Sequence, residues 1–223
     1  PHSRRRVSLA DYEWADLIDD PDKIRMLIDP TSSYAKAAAA AMGRSMDDVV
    51  ITALGGTAYT GETGSTSTAL PSTQKFATSN QSDGLTVAKL LDAKKKLDLQ
   101  DVDPSLKRYV VCGATQISDL LNTTEVKSSD FNTVKALAQG QVDSFLGFKF
   151  IMSNRLSFDA SNTDDRLCFA FTEDAIKLAI GKDISARIDE RADKSYSTQV
   201  YYCMSIGATR MEEVKVVQIP CNE

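Results

Sequence analysis

Apolar side chains recur at spacings of three and four along residues 35–53: Ala35, Ala39, Met42, Met46, Val49, Val50 and Ala53. Arg44, Asp47 and Asp48 fall off this row, so the pattern predicts a helix with one dry face and one wet one. Pro30 precedes it, where a proline does no harm, and Thr31, Ser32 or Ser33 can cap its exposed amides. Six alanines between positions 35 and 41 lose almost no side-chain entropy on helix formation. Gly55 and Gly56 end it by supplying a left-handed turn. The helix expected over 34–54 would be roughly 30 Å long. Its alanine half has little bulk, so whatever packs there comes close, backbone to backbone.

The remaining pattern is mixed. Residues 3–10 read as short and extended. Residues 11–27 read as two helical turns broken near Pro21, with Tyr12, Trp14, Leu17 and Ile18 in one cluster and Asp22 capping 23–28. The Gly-, Ser- and Thr-rich run 57–81 suggests a loose hairpin or an ordered surface loop. It has no lysine at P-loop spacing and no G-x-G-x-x-G, so it is a poor phosphate cradle. A clean amphipathic helix follows over 85–99, with Lys94, Lys95 and Lys96 near its C-terminus, where cations suit the dipole. Strands are expected at 108–112, 148–153 and 167–171, and short helices at 115–121 and 133–139. The polar loop 157–165 lacks the EF-hand spacing for calcium. Thr172 with Glu173 or Asp174 predicts a capped helix over 175–180, ended by Gly181. Ile184, Ala186 and Ile188 alternate with polar residues as in a half-exposed strand. Val200, Tyr202, Met204 and Ile206 share one face of a long strand over 197–206, a turn is expected at 207–210, and 214–219 closes the chain before Pro220. Helices first, then long antiparallel strands, make an α+β arrangement.

Composition narrows the chemistry. His2 is the single histidine. A Ser/His/Asp or Cys/His machine, and most catalytic zinc sites, need a positioned histidine. Cys112, Cys168, Cys203 and Cys221 show no CxxC or CxxH spacing, so no metal ligand set is expected, and they read as buried free thiols suited to a reducing compartment. No cofactor motif is present. The remaining enzymatic option is a pair of carboxylates, Asp47/Asp48 or Asp101/Asp103. Neighbours on a helix point in different directions, which makes neither a ready acid–base dyad. The formal charge of −5 is a poor footprint for a sequence-specific nucleic-acid binder. No apolar run approaches the ~20 residues of a membrane span. The charged start PHSRRRVSLADYEW has no signal-peptide middle, and a chain that opens on Pro1 is expected to lack residues upstream.

Three stretches, in their order, carry a resemblance. The first is the lead-in Asp19-Asp20-Pro21-Asp22 and Asp29-Pro30, running into the long helix with Gly43-Arg44-Ser45-Met46-Asp47-Asp48 and its close Ala53-Leu54-Gly55-Gly56-Thr57-Ala58. The second is Gly147-Phe148 leading to Ser153-Asn154-Arg155-Leu156. The third is Tyr201-Tyr202-Cys203-Met204-Ser205-Ile206-Gly207-Ala208-Thr209-Arg210-Met211 followed by Val216-Val217-Gln218-Ile219. Together they make the chain resemble the major capsid proteins of tailed bacteriophages with the Hong Kong 97-type fold, and the short-tailed phage family most. The resemblance implies a spine helix and an extended antiparallel sheet forming a peripheral domain, with a mixed α/β axial domain. On that map 1–10 ends an extended loop or arm, 11–83 is peripheral, 84–182 axial, and 183–223 returns to the peripheral domain.

The function implied is that of a structural subunit, not an enzyme, assembling into hexamers and pentamers of an icosahedral head around double-stranded DNA held non-specifically. The expected place is the virion, after assembly in the host cytoplasm. Copies of the chain would be its partners, with scaffold, portal and decoration proteins as further ones, and no membrane is implied. A bacterial encapsulating compartment of the same fold, or another virion structural protein, is the alternative. Charge clusters suit contacts between copies, where opposite signs set register more than affinity. Arg4, Arg5, Arg6, Asp19, Asp20, Asp22, Arg44, Asp47 and Asp48 are therefore the candidate interface residues.

Overall fold

The computed structural model describes residues 4–19, 31–76, 83–122, 144–160 and 164–223, leaving aside the side chains of Thr31 and Ser32. The expectations for Asp20, Asp22 and residues 23–28 and 133–139 fall outside these. Its contacts divide the chain into two compact units, one of 1–5, 51–177 and 210–223, the other of 6–50 and 178–209.

The first unit is built on a five-stranded sheet. Strands β5 (Arg108–Cys112), β6 (Ser144–Phe145), β7 (Phe148–Met152), β8 (Asp165–Thr172) and β11 (Val216–Asn222) lie in the order β11-β8-β5-β7-β6. Only β5 and β7 run parallel; β11 and β8, β8 and β5, and β6 and β7 are antiparallel. Near-continuous burial of RYVVC and LCFAF reflects a sheet covered on both faces. Helix α2 (Val87–Asp98) puts Leu90, Ala93 and Leu97 fully into this core, and Thr86 caps it by accepting from the Lys89 amide at 3.3 Å. Helix α3 (Ala114–Asn122) adds Leu120. Pro220 lies inside β11 because β11 is an edge strand, where a missing donor costs no ladder bond. The chain therefore continues as strand past the proline, where the sequence pattern suggests a stop. The run after the long helix forms the hairpin β3 (Ala58–Thr60) and β4 (Thr66–Thr68), which pairs with β1 (Arg5–Arg6). Its tip uses Gly61 at φ +97° and Gly64 at φ +66°.

The second unit packs the first twenty residues of helix α1 (Thr31–Gly55) on a three-stranded sheet, β2 (Ala10–Ile18), β10 (Ser197–Arg210) and β9 (Ile176–Arg191), in the order β2-β10-β9. Met42, Met204 and Ile206 are buried together with Tyr12, Trp14, Met46, Val49 and Tyr202 around them. Trp14 sits directly opposite Tyr202 in the antiparallel register, and the two rings meet edge to face at 6.5 Å.

Three sequence expectations are corrected. Residues 11–18 are strand, not helical turns: Tyr12, Trp14, Asp16 and Ile18 turn inward while Asp11, Glu13, Ala15 and Leu17 are exposed, a period of two. Residues 176–180 are the start of β9, not a helix. The expected cap residue Thr172 instead donates to Asp174 at 2.7 Å within a turn closed by Ala175 N–H to the Thr172 carbonyl. Residues 207–210 do not turn; β10 runs on to Arg210. Gly207 is there because a Cβ would collide with the Ser8 carbonyl oxygen.

Candidate functional site

Strand β9 is sixteen residues long and, among the described residues, is paired on one side only, to β10. Nearly all of it is exposed, including Leu178 at 39%, Ile180 at 52%, Ile184 at 38% and Ile188 at 51%. A long edge strand carrying β-branched apolar residues is a template for pairing with another chain, and proteins that stay monomeric blunt such edges. In the same unit, helix α1 buries Ala38 and Met42 but exposes Ala37, Ala39 and Ala40. The buried row keeps to the predicted one at Met42, Met46 and Val49 and departs from it at Ala38, which is buried in place of Ala39, and the alanine-rich half is left open on a second face.

The predicted charges have mixed fates. Arg4 and Arg6 are exposed. Arg5 is engaged within its own unit: both terminal nitrogens meet the Glu213 carboxylate at 2.8 Å in a bidentate pair. Asp19 accepts from the Ser197 hydroxyl at 2.6 Å. Arg44 and Asp47 are exposed on α1, and Asp48 is half-buried there. Sequence reasoning missed the isoleucines of β9 as site residues. Their alternation was visible, but a strand's position at a sheet edge is set by which strands come to lie beside it.

The carboxylate option fares poorly. A cavity of about 490 Å³ is lined by Lys94, Asp98, Asp101, Val102, Pro104, Leu106, Arg108, Leu146 and Gly147. Asp98 is tied there to Arg108 at 2.7 Å. Asp103 is not part of its lining, and the backbone amide of Ser105 at 2.8 Å holds its carboxyl below the ordinary range, the reverse of what a general acid needs. Among the described residues no group of three His, Cys, Asp or Glu side chains could hold a metal ion, and no helix is long and apolar enough to cross a membrane. All four cysteines are unpaired and buried.

Three comparisons bear on these surfaces. A family model described as phage capsid protein matches residues 1–223. No curated protein matches the sequence. Solved structures do match in fold. A chain of Mycobacterium phage Che8 superposes with a TM-score of 0.71 at 20% identity, over 94% of this chain and 70% of that one. The cyanophage Pam1 capsid asymmetric unit gives 0.69 at 15% identity, over 97% and 75%. The capsid of Ralstonia phage GP4 gives 0.70 at 12% identity, over 98% and 74%. The α+β, Hong Kong 97-like fold expected from the sequence is the fold the chain has.

Proposed function

This chain belongs to the phage capsid protein family, and from that premise we propose that copies of it close into the hexamers and pentamers of an icosahedral head enclosing double-stranded DNA. The observation that carries this reading is the open apolar edge of β9. Burying an exposed isoleucine contributes on the order of 1–2 kcal/mol, so Ile180, Ile184 and Ile188 are a recurring liability in an isolated subunit and a recurring gain in an assembly. The alanine face of α1 supports the same reading, since small side chains let a neighbouring backbone approach closely. We read 11–83 and 183–223 as the peripheral domain and 84–182 as the axial one, with Arg4, Arg44 and Asp47 as the charges left for contacts between copies. Arg5 serves its own subunit.

The net charge of −5 supports a container that holds DNA without gripping it. Scaffold, portal and decoration proteins would be partners, and assembly would precede release of the virion from the host cytoplasm. Electron microscopy of particles formed by the expressed chain tests the proposal. Closed shells with five- and sixfold capsomers are expected. A protein that stays monomeric under all assembly conditions would overturn it.

A further inference from the structure

Two cavities in the first unit share one arginine. The larger, of about 490 Å³, takes in the C-terminal end of α2 and the loop after it. The smaller, of about 360 Å³, lies at the start of β5 and β7. Arg108, Leu146 and Gly147 line both. Arg108 opens β5, and its side chain is only 6% exposed. A guanidinium carries five N–H donors. Among the described residues one of them is used, from Nη2 to Asp98 at 2.7 Å. Nε is buried and has no acceptor. A cation buried to this extent, with most of its donors idle, is short of acceptors, and buried donors left idle are costly.

Three lysines surround it. Lys94 lines the larger cavity, and Lys107 and Lys149 line the smaller. Among the described residues none of the three ammonium groups has an ion-pair partner. The carboxylates on these linings are Asp98 and Asp101, so four cations face two anions, a surplus of two positive charges. A phosphate monoester carries close to two negative charges at pH 7. A single carboxylate brings one. Val102, Leu106 and Leu146 give the larger cavity an apolar wall, and both volumes suit a small molecule. We propose that the two cavities bind a small phosphorylated organic molecule. Arg108 takes the phosphate, the three lysines neutralise it, and the apolar wall holds the organic part.

The chemistry of the groups suits this division of labour. A guanidinium presents its donors as a planar fork that matches two oxygens of a phosphate, and it stays charged at any working pH. Asp98 engages Nη2 alone, which orients the fork without filling it. Lysines are compact charges on flexible stems. Lys107 and Lys149 are exposed and Lys94 is half-buried, so they are free to close on an oxyanion. Leu146 holds a positive φ of +53°, a costly conformation for a bulky side chain, and it places an apolar residue in both linings. The competing occupant is a carboxylate of a second copy of the chain, which would leave one of the two surplus charges unmatched.

The test titrates the folded full-length chain by calorimetry with phenyl phosphate, inorganic phosphate and benzoate at fixed salt. Phenyl phosphate and benzoate differ in the anion, phenyl phosphate and phosphate in the apolar part. Phenyl phosphate is expected to bind most tightly, inorganic phosphate less so and benzoate least. Lys94→Met and Lys149→Met should each weaken phenyl phosphate about tenfold. Arg108→Lys, checked for native circular dichroism, keeps the charge, loses the fork and should weaken it as well. Lys95→Met removes an exposed charge that lines neither cavity and should change nothing. No binding of phenyl phosphate at millimolar concentration, benzoate or inorganic phosphate binding as tightly as phenyl phosphate, or an equal loss in Lys95→Met would each overturn the proposal. A wild type that ignores phenyl phosphate, with particle formation lost in Lys94→Met/Lys149→Met, would also overturn it and would assign these cations to a carboxylate of a neighbouring subunit.

Discussion

Arg210 donates from Nη1 to the carbonyl oxygen of Leu54, in the last turn of helix α1, at 2.8 Å. The same nitrogen reaches the Gly56 carbonyl at 2.8 Å, and Nη2 reaches that of Thr68 at 3.1 Å. The side chain is fully buried, with Glu213 at 3.7 Å as its counter-ion, and Glu213 is also the bidentate partner of Arg5. A helix C-terminus carries partial negative charge and unpaired carbonyls. Here one guanidinium satisfies them from 156 residues away in sequence.

Arg210→Met would leave those carbonyls without their donor and Glu213 with Arg5 alone. A loss of about 3–5 kcal/mol is expected, as for other broken buried pairs, read as a lower urea midpoint. Arg210→Lys should recover only part of it, because an ammonium cannot span three carbonyls as the planar fork does.

Glu223 gives the stability a sign with pH. Arg166 binds its carboxylate at 2.6 and 2.9 Å, and Gln116 donates to it at 3.1 Å. The Arg166 contact, ahead of the others, holds this carboxyl below 4.5. A group whose folded value is depressed stabilises above its unfolded value and loses that contribution as pH falls through the folded one. Urea midpoints should therefore drop on acidification below about pH 4.5, the ordinary value for this group. Glu223→Gln should flatten that part of the profile. An unchanged slope would show that the pair does not carry it.

Gly207→Ala tests the close approach of β10 to residue 8. The added methyl meets the Ser8 carbonyl, and Val7 Cγ1 at 3.0 Å blocks escape to that side. A loss of about 1–3 kcal/mol is expected. Gly43→Ala is the control, since nothing lies within 4 Å of a Cβ there; on a helix it should be neutral or slightly stabilising.

What the sequence reveals depends on how local the deciding contact is. Helix α2 and strand β5 are legible from short windows, because LTVAKLL has a helical period with a Thr cap and RYVVC is a brief apolar run. The stretch 11–18 is not, because Tyr12, Trp14, Leu17 and Ile18 satisfy a helical spacing and a strand's alternation equally well. What decides is Tyr202 across the sheet from Trp14. The pairing of Arg5 with Glu213 lies 208 residues apart, so a basic cluster read as a surface feature yields one internal ion pair. The apolar content of β9 is visible in its residues, but its open side follows from the sheet order alone.

The most direct test of the central claim compares the wild-type chain with Ile184→Asp/Ile188→Asp by sedimentation velocity under assembly conditions. Both residues are already exposed, so the substitutions should leave the urea midpoint of the subunit nearly unchanged. The account predicts that wild type sediments as large closed particles and the variant as isolated subunits or small oligomers. A variant that forms the same particles at the same concentration would contradict it.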